Sequence, residues 1–309
     1  MKRVIIISGP TGVGKTSFSL ALAEKLKGEI VSADSMQIYR DMDVGTDKVS
    51  RSDQEKINHH LLDIVDPNEE YSVQDYQKDA YKKIDEILEK GKTPLVVGGT
   101  GLYIDSLVYD FKFASSKPDY ALRASLEKDY EEKGPEYLLD KLEEIDPVTR
   151  KTLTGKDKKK IIRAIEVYET SGKRLSETKQ ENKLSEKYDF YLYVFNNDRE
   201  ILYSNINKRV DEMGKEGLVE EVIKVIDKYG LDENSQSMKA IGYREVLPYL
   251  EGKIDLETMK EEIKKDSRRY AKRQLTWFRR NPYVRWIDKS IYDSDEKIMT
   301  YILNDLEGD

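Results

Sequence analysis

Eight residues near the amino terminus, Gly9-Pro10-Thr11-Gly12-Val13-Gly14-Lys15-Thr16, constrain this chain more than any other segment. They fit the spacing G-x-x-x-x-G-K-[ST]. A β-branched run, Val4–Ser8, precedes them. An amphipathic stretch, Thr16–Leu26, follows, with Phe18, Leu22, Ala23 and Leu26 at helical spacing. In that setting the glycines let backbone N–H groups turn inward around a phosphate, and the helix amino terminus adds a favourable dipole. Lys15 supplies a point charge for the terminal phosphate, and the Thr16 hydroxyl is placed to hold Mg2+. The loop alone does not name its ligand. By motif ATP is the commonest, but the cradle grips any diphosphate. The strand candidate Pro94–Val97 ends in Gly98-Gly99-Thr100 and not in an acid. The nearby strand-end carboxylate is Asp34, after Glu29–Ala33, either a water-mediated ligand of the ion or a catalytic base.

The surrounding pattern predicts an α/β fold, a parallel sheet with helices on both faces. Strand candidates Val4–Ser8, Glu29–Ser32 and Pro94–Val97 alternate with helical segments. One of these, Gln74–Lys90, carries Ala80, Ile84, Ile87 and Leu88 on one face and is closed by Gly91. Such a β-α-β-α-β rhythm implies right-handed crossovers. In doubly wound sheets ligands bind off the carboxyl ends of the strands, where the loop, Asp34 and Thr100 should converge. After about Phe113 the texture changes to short helices, Asp119–Lys133, Glu136–Glu144 and Asp157–Ser171. A strong strand, Tyr188–Phe195, then resumes the sheet. The reading is a phosphate-loop core over 1–113 and 190–309 with a helical insertion over 114–189. Glu177–Lys187, polar and without periodicity, reads as a mobile loop. Arg199–Met213, Leu218–Tyr229, Arg244–Leu250 and a long charged segment from about Leu256 to Arg280 read as helices.

Composition narrows the chemistry. The chain has no cysteine and two histidines, which removes thiolate metal sites, cysteine nucleophiles and most His-based arrangements. No apolar run reaches the ~18 residues of a membrane span, so a cytoplasmic protein without membrane contact is expected. The net charge of −7 hides an uneven distribution. Ser267–Ile287 contains Arg268, Arg269, Lys272, Arg273, Arg279, Arg280 and Arg285 and no acid, a local +7 that leaves −14 on the rest. Such a segment, interleaved with Trp277 and Phe278, is an electrostatic footprint for a polyanion.

A series of short motifs then resembles one family, the tRNA dimethylallyltransferases (isopentenyltransferases). They are Ser32-Ala33-Asp34-Ser35-Met36-Gln37-Ile38-Tyr39, Asp43-Val44-Gly45-Thr46, His59-His60-Leu61-Leu62-Asp63 with Asp66-Pro67, and Gly98-Gly99-Thr100-Gly101-Leu102-Tyr103. In the same order follow Arg163-Ala164-Ile165-Glu166-Val167, Arg209-Val210-Asp211-Glu212-Met213, Ala240-Ile241-Gly242-Tyr243, and Tyr270-Ala271-Lys272-Arg273-Gln274 with Thr276-Trp277-Phe278-Arg279. The resemblance implies transfer of a dimethylallyl group from dimethylallyl diphosphate to N6 of the adenosine 3′-adjacent to the anticodon, tRNA position 37, in tRNAs reading codons that begin with U. It implies a catalytic set of Asp34, Thr100, Lys15 and Arg209, with diphosphate held by the whole loop from Gly9 to Thr16 and by Mg2+ on Thr16. It assigns the anticodon stem-loop to Asp34, Ser35, Met36, Gln37 and Thr100, to Arg123, Lys159, Lys160 and Arg163, and to Lys272, Arg273, Gln274, Trp277 and Arg279. A monomer is expected, since no sustained heptad calls for a partner. A phosphate-loop kinase or NTPase for a small molecule is the competing reading; it leaves the basic aromatic segment without a role.

Overall fold

The computed structural model describes residues 2–109, 111, 113, 119–178 and 184–308. In chain order the elements are β1 (Arg3–Ser8), α1 (Lys15–Leu26), β2 (Glu29–Ser32), α2 (Arg51–Lys56), β3 (His59–His60), α3 (Val73–Glu89), β4 (Pro94–Gly98) and α4 (Gly101–Val108). Then come α5 (Tyr120–Lys133), α6 (Pro135–Ile145), α7 (Pro147–Arg150), α8 (Lys158–Ser171) and α9 (Leu175–Thr178). The remainder is β5 (Asp189–Asn196), α10 (Arg199–Lys215), α11 (Leu218–Tyr229), α12 (Val246–Leu250), α13 (Leu256–Phe278), β6 (Arg285–Asp288) and α14 (Asp295–Glu307).

Six strands form one sheet in the order β3-β2-β4-β1-β5-β6. Every pairing is parallel, with Ile5 opposite both Leu95 and Tyr191. The expected α/β class is therefore the observed one. Its central strands are continuously apolar because helices cover both faces, so neither face needs polar residues. Ile5, Ile7, Phe18, Leu22, Tyr193, Phe195, Leu202 and Ile206 belong to one buried cluster around β1 and β5. Parallel pairing puts all strand carboxyl ends on one edge, so the segments after Ser8, Ser32 and Gly98 emerge side by side.

The chain divides into two compact units, Met1–Val108 with Ser185–Asp309, and Tyr109–Leu184. The second is helical and has its own core, with Leu126, Leu138, Leu139, Leu142, Ile161 and Ile165 buried together. Its helices start where the sequence offers caps: Asp119 accepts from the Leu122 amide, and Pro135 and Pro147 occupy first turns. Part of the loop expected over Glu177–Lys187 lies outside the described residues, and α9 runs into its first two positions.

Besides the short helices α2, α4, α7 and α9, three further elements were not expected. β3 and β6 extend the sheet at its two edges, and α14 follows the basic helix, which ends at Phe278. Among the described residues no helix is long and apolar enough to cross a membrane.

Candidate active site

The loop between β1 and α1 opens onto a cavity of about 650 Å³ in the sheet-bearing unit. Thr11, Gly12, Gly14, Lys15 and Thr16 line it; Gly9, Pro10 and Val13 support it from behind. Gly9 takes φ +143°, and a Cβ there would stand 2.6 Å from the Phe195 carbonyl oxygen, so the first glycine is needed to press the loop against β5. The Pro10 carbonyl accepts from Lys15 Nζ at 2.8 Å, and Val13 is buried in the core. Burial drives the Lys15 ammonium down to about 8. Arg209 adds to that by repulsion, while the Asp34 and Asp47 carboxylates oppose it. A lysine so depressed is waiting for negative charge.

Arg209, on α10, is brought to this loop as expected. Its NH1 donates to Thr11 Oγ1 at 2.6 Å and lies 3.3 Å from Asp47 Oδ2. Its Nε is buried without a hydrogen-bond partner. A buried guanidinium N–H left open inside a cationic cavity is a vacancy suited to an oxyanion.

Asp34, at the end of β2, also lines the cavity. Its Oδ1 accepts from the Met36 amide at 2.9 Å and the Gln37 amide at 3.4 Å, which turns the chain sharply after the strand. Thr100 Oγ1 accepts from the Ser35 amide at 3.1 Å, joining the ends of β2 and β4, and Thr100 lies behind the lining. Gln37 is tied inward: its amide nitrogen donates to the carbonyls of Thr46 and Asp47, each at 3.1 Å. Met36 and Ser35 remain on the cavity surface. Beside them Tyr270, from α13, is pushed up to about 12 by burial, with the Asp34 charge adding to it.

Part of the lining is apolar and was not foreseen. Ile206, Val210 and Met213 from α10, Ile241, and Ile263 from α13 face the same cavity as Lys15. In sequence they look like ordinary core positions of amphipathic helices, because a cavity wall and a core share one hydrophobic stripe. Asp47 was missed too. The segment before it is fastened by Glu221 of α11, whose carboxylate accepts from the amides of Asp43 (2.9 Å), Val44 (2.7 Å) and Gly45 (3.0 Å) and from the Tyr243 hydroxyl. This explains two motifs together. A Cβ at Gly45 would come within 2.4 Å of the Tyr243 ring.

The basic segment does not form one surface. Lys272, Arg273 and Arg279 are exposed along and just after α13, and Arg273 reaches the cavity. Arg285 instead sits on β6, paired with Asp305. Trp277 donates from Nε1 to Asp105 Oδ2 at 2.7 Å; burial raises that carboxyl, with Trp277 and Asn281 pulling the other way. Gln274 is buried, 6% exposed, and both ends of its amide are engaged inside the protein. Arg123, Lys159, Lys160 and Arg163 belong to the helical unit. There the fully buried Glu166 accepts from Arg123 Nε at 2.8 Å and Arg163 NH1 at 2.6 Å. Lys160 pairs with Asp157, and Lys159 is exposed.

A family model described as IPP transferase matches residues 37–281. The chain belongs to the IPP transferase family. It is 48% identical over 307 residues to the tRNA dimethylallyltransferase of Alkaliphilus oremlandii, covering 99% of this chain and 98% of that one. Among solved structures it resembles the full-length tRNA isopentenylpyrophosphate transferase of Bacillus halodurans, with 40% identity, TM-score 0.74 and 100% and 98% of the two chains covered. It also resembles a eukaryotic dimethylallyltransferase caught acting on tRNA, with 29% identity, TM-score 0.86 and 100% and 80% covered. These relatives do not favour the small-molecule kinase reading.

Proposed function

We propose that this enzyme transfers the dimethylallyl group of dimethylallyl diphosphate to N6 of the adenosine 3′-adjacent to the anticodon, in tRNAs reading codons that begin with U, and releases diphosphate. The observation that carries the reading is the mixed lining of the cavity. A cationic cradle of Lys15, Arg209 and loop amides adjoins an apolar wall of Val210, Met213, Ile241 and Ile263, with Asp34 on the same surface. The cationic groups suit a diphosphate and the apolar ones a short branched hydrocarbon. A nucleotide would leave the hydrocarbon wall without a purpose.

The chemistry sets two demands. Adenine N6 is a weak nucleophile, its lone pair shared with the ring. Asp34 accepts a hydrogen bond and then the proton from N6 through Oδ2, since Oδ1 is engaged by the Met36 and Gln37 amides. The C–O bond of the substrate breaks as the N6–C bond forms, and the electron pair leaves with diphosphate. Lys15, Arg209 and the loop N–H groups receive that growing charge. Thr100 acts on Asp34 indirectly, by fixing Ser35. Mg2+ fits this design in a limited way. Among the described residues no cluster of three or more His, Asp or Glu side chains could hold a metal. Thr16, on the cavity surface, would offer its hydroxyl to the ion beside diphosphate oxygens. When bound, the ion neutralises leaving-group charge.

The target adenine must leave the anticodon-loop stack, at a cost of a few kcal/mol. Lys272, Arg273, Arg279 and Trp277 are the groups on and after α13 for phosphates and splayed bases, and Lys159, Lys160, Arg163 and Arg123 those of the helical unit. Incubation with labelled dimethylallyl diphosphate, Mg2+ and bulk tRNA is expected to place label in tRNA. Release of phosphate from ATP, with no label in tRNA, would overturn the reading.

A further inference from the structure

The side chain of Gln274 joins two segments that the reaction uses for different substrates. Its Oε1 accepts from the Thr11 amide of the phosphate loop at 3.0 Å, and its Nε2 donates to the Gly99 carbonyl at the end of β4 at 2.9 Å. The partners fix which end of the amide is which, because a peptide N–H can only donate and a carbonyl can only accept. Gln274 lies on α13 between the exposed cations Lys272 and Arg273 and the half-buried Trp277. Glycines make room for it. A Cβ at Gly99 would stand 2.1 Å from Gln274 Nε2, and a Cβ at Gly101 would stand 2.4 Å from the Trp277 ring. The Gly99-Thr100-Gly101 strand end is thus a socket for the basic helix. Thr11, in turn, is bound at its amide by Gln274 and at its hydroxyl by Arg209.

We propose that Gln274 is a positioning residue that locks the basic helix to the phosphate loop, so that the helix offered to RNA and the cradle for diphosphate hold one geometry. It acts through Thr11 and, by way of Thr11, through Arg209, and it does not contact a base. The inference rests on the prenyl-transfer reading above. It predicts a lesion in diphosphate use from a side chain that sits among RNA-binding cations. Gln274→Ala leaves the Thr11 amide without its acceptor, and a half-buried donor stripped of its partner is expected to cost about tenfold in kcat/KM for dimethylallyl diphosphate. Gly99→Ala displaces the same amide without altering its chemistry and should reproduce the effect, at a residue whose φ lies outside the glycine-favouring region.

The test measures three quantities for both variants: steady-state constants with dimethylallyl diphosphate varied, the affinity for an anticodon stem-loop RNA, and the melting midpoint. Loss of kcat/KM for the diphosphate with stem-loop affinity within about twofold of the parent supports the lock. A loss in stem-loop affinity, alone or in equal measure, shows Gln274 to be an RNA contact and overturns it. Unchanged constants overturn it too. If Gln274→Ala does not fold, Gly99→Ala decides by the same criteria. Failure of the parent protein to label tRNA would instead sink the underlying activity and is read in the same assay.

Discussion

Lys15 makes the reading of the cradle quantitative. Its ammonium is driven down to about 8 from an ordinary 10.5, chiefly by burial. A bound diphosphate supplies the missing counter-charge and should return it to its ordinary range. The free enzyme at about pH 9 then carries the proton on about one molecule in ten, and the complex on nearly all, so binding takes up about 0.9 proton. Affinity should fall as pH rises, by about eightfold between pH 7.5 and 9, because the cradle must be recharged before it can grip. The sign is set by the direction of the shift: a lysine depressed when empty favours its ligand below the depressed value and loses it above. Titration calorimetry of dimethylallyl diphosphate, already ionised in this range, in two buffers of different ionisation enthalpy reads the uptake directly. Lys15→Met should bind weakly and take up no proton. A pH-independent affinity with no proton uptake in the parent would refute the argument and return Lys15 to its contact with the Pro10 carbonyl.

Three other outcomes follow from side-chain environments. Asp34→Asn keeps an acceptor for the Met36 and Gln37 amides but cannot take a proton; turnover should fall by about 10²–10⁴ with diphosphate affinity little changed, and a defect confined to RNA affinity would count against Asp34 as base. Lys48, its side chain 2% exposed, donates to the Tyr39 carbonyl at 2.8 Å, Asp43 at 2.7 Å and Asp63 at 2.6 Å. Lys48→Met removes the partner of Asp63, while the half-exposed Asp43 can turn to solvent, and should cost about 1–3 kcal/mol in urea unfolding; an unchanged midpoint would show the cluster to be dispensable. Burial would raise the Glu29 carboxyl, but hydrogen bonds from Lys92, His60, Asn58 and Lys90 outweigh it and hold it at about 2 against an ordinary 4.5. That difference contributes roughly 3 kcal/mol above pH 5, lost as pH falls towards 2. Denaturation curves of the parent and Glu29→Gln should therefore converge in acid, and curves that stay parallel would contradict the assignment.

The sequence was informative where local pattern and chemistry coincide. β1, the glycine loop and α1 are contiguous, so strand, turn and helix reinforce one another, and Asp34 stands out as a carboxylate at a strand end. β3 was invisible because two residues, His59 and His60, cannot show an alternation. β6 was hidden by Arg285 and Asp288, whose charges mask a strand completed by pairing with β5. α14 was overlooked although Ile298, Ile302 and Leu306, all buried, recur at four-residue spacing. What no local pattern could show were unions across the chain. Glu221 meets residues 176–178 positions away, and Gln274 meets Thr11 across 263. The apolar wall shares this fate, since Val210, Met213 and Ile263 look like core until the sheet edge opens beside them.

The triple amide seat that Glu221 fills has a consequence for redesign. Gly45 borders the cavity, yet its amide is held from outside it, by a helix that contributes no lining of its own. Accommodating a bulkier hydrocarbon would therefore call for re-hanging that flank through α11, much as a door is moved by its hinge, whereas trimming Met213 or Ile263 alone would deepen the hollow and leave its outline where the carboxylate pins it.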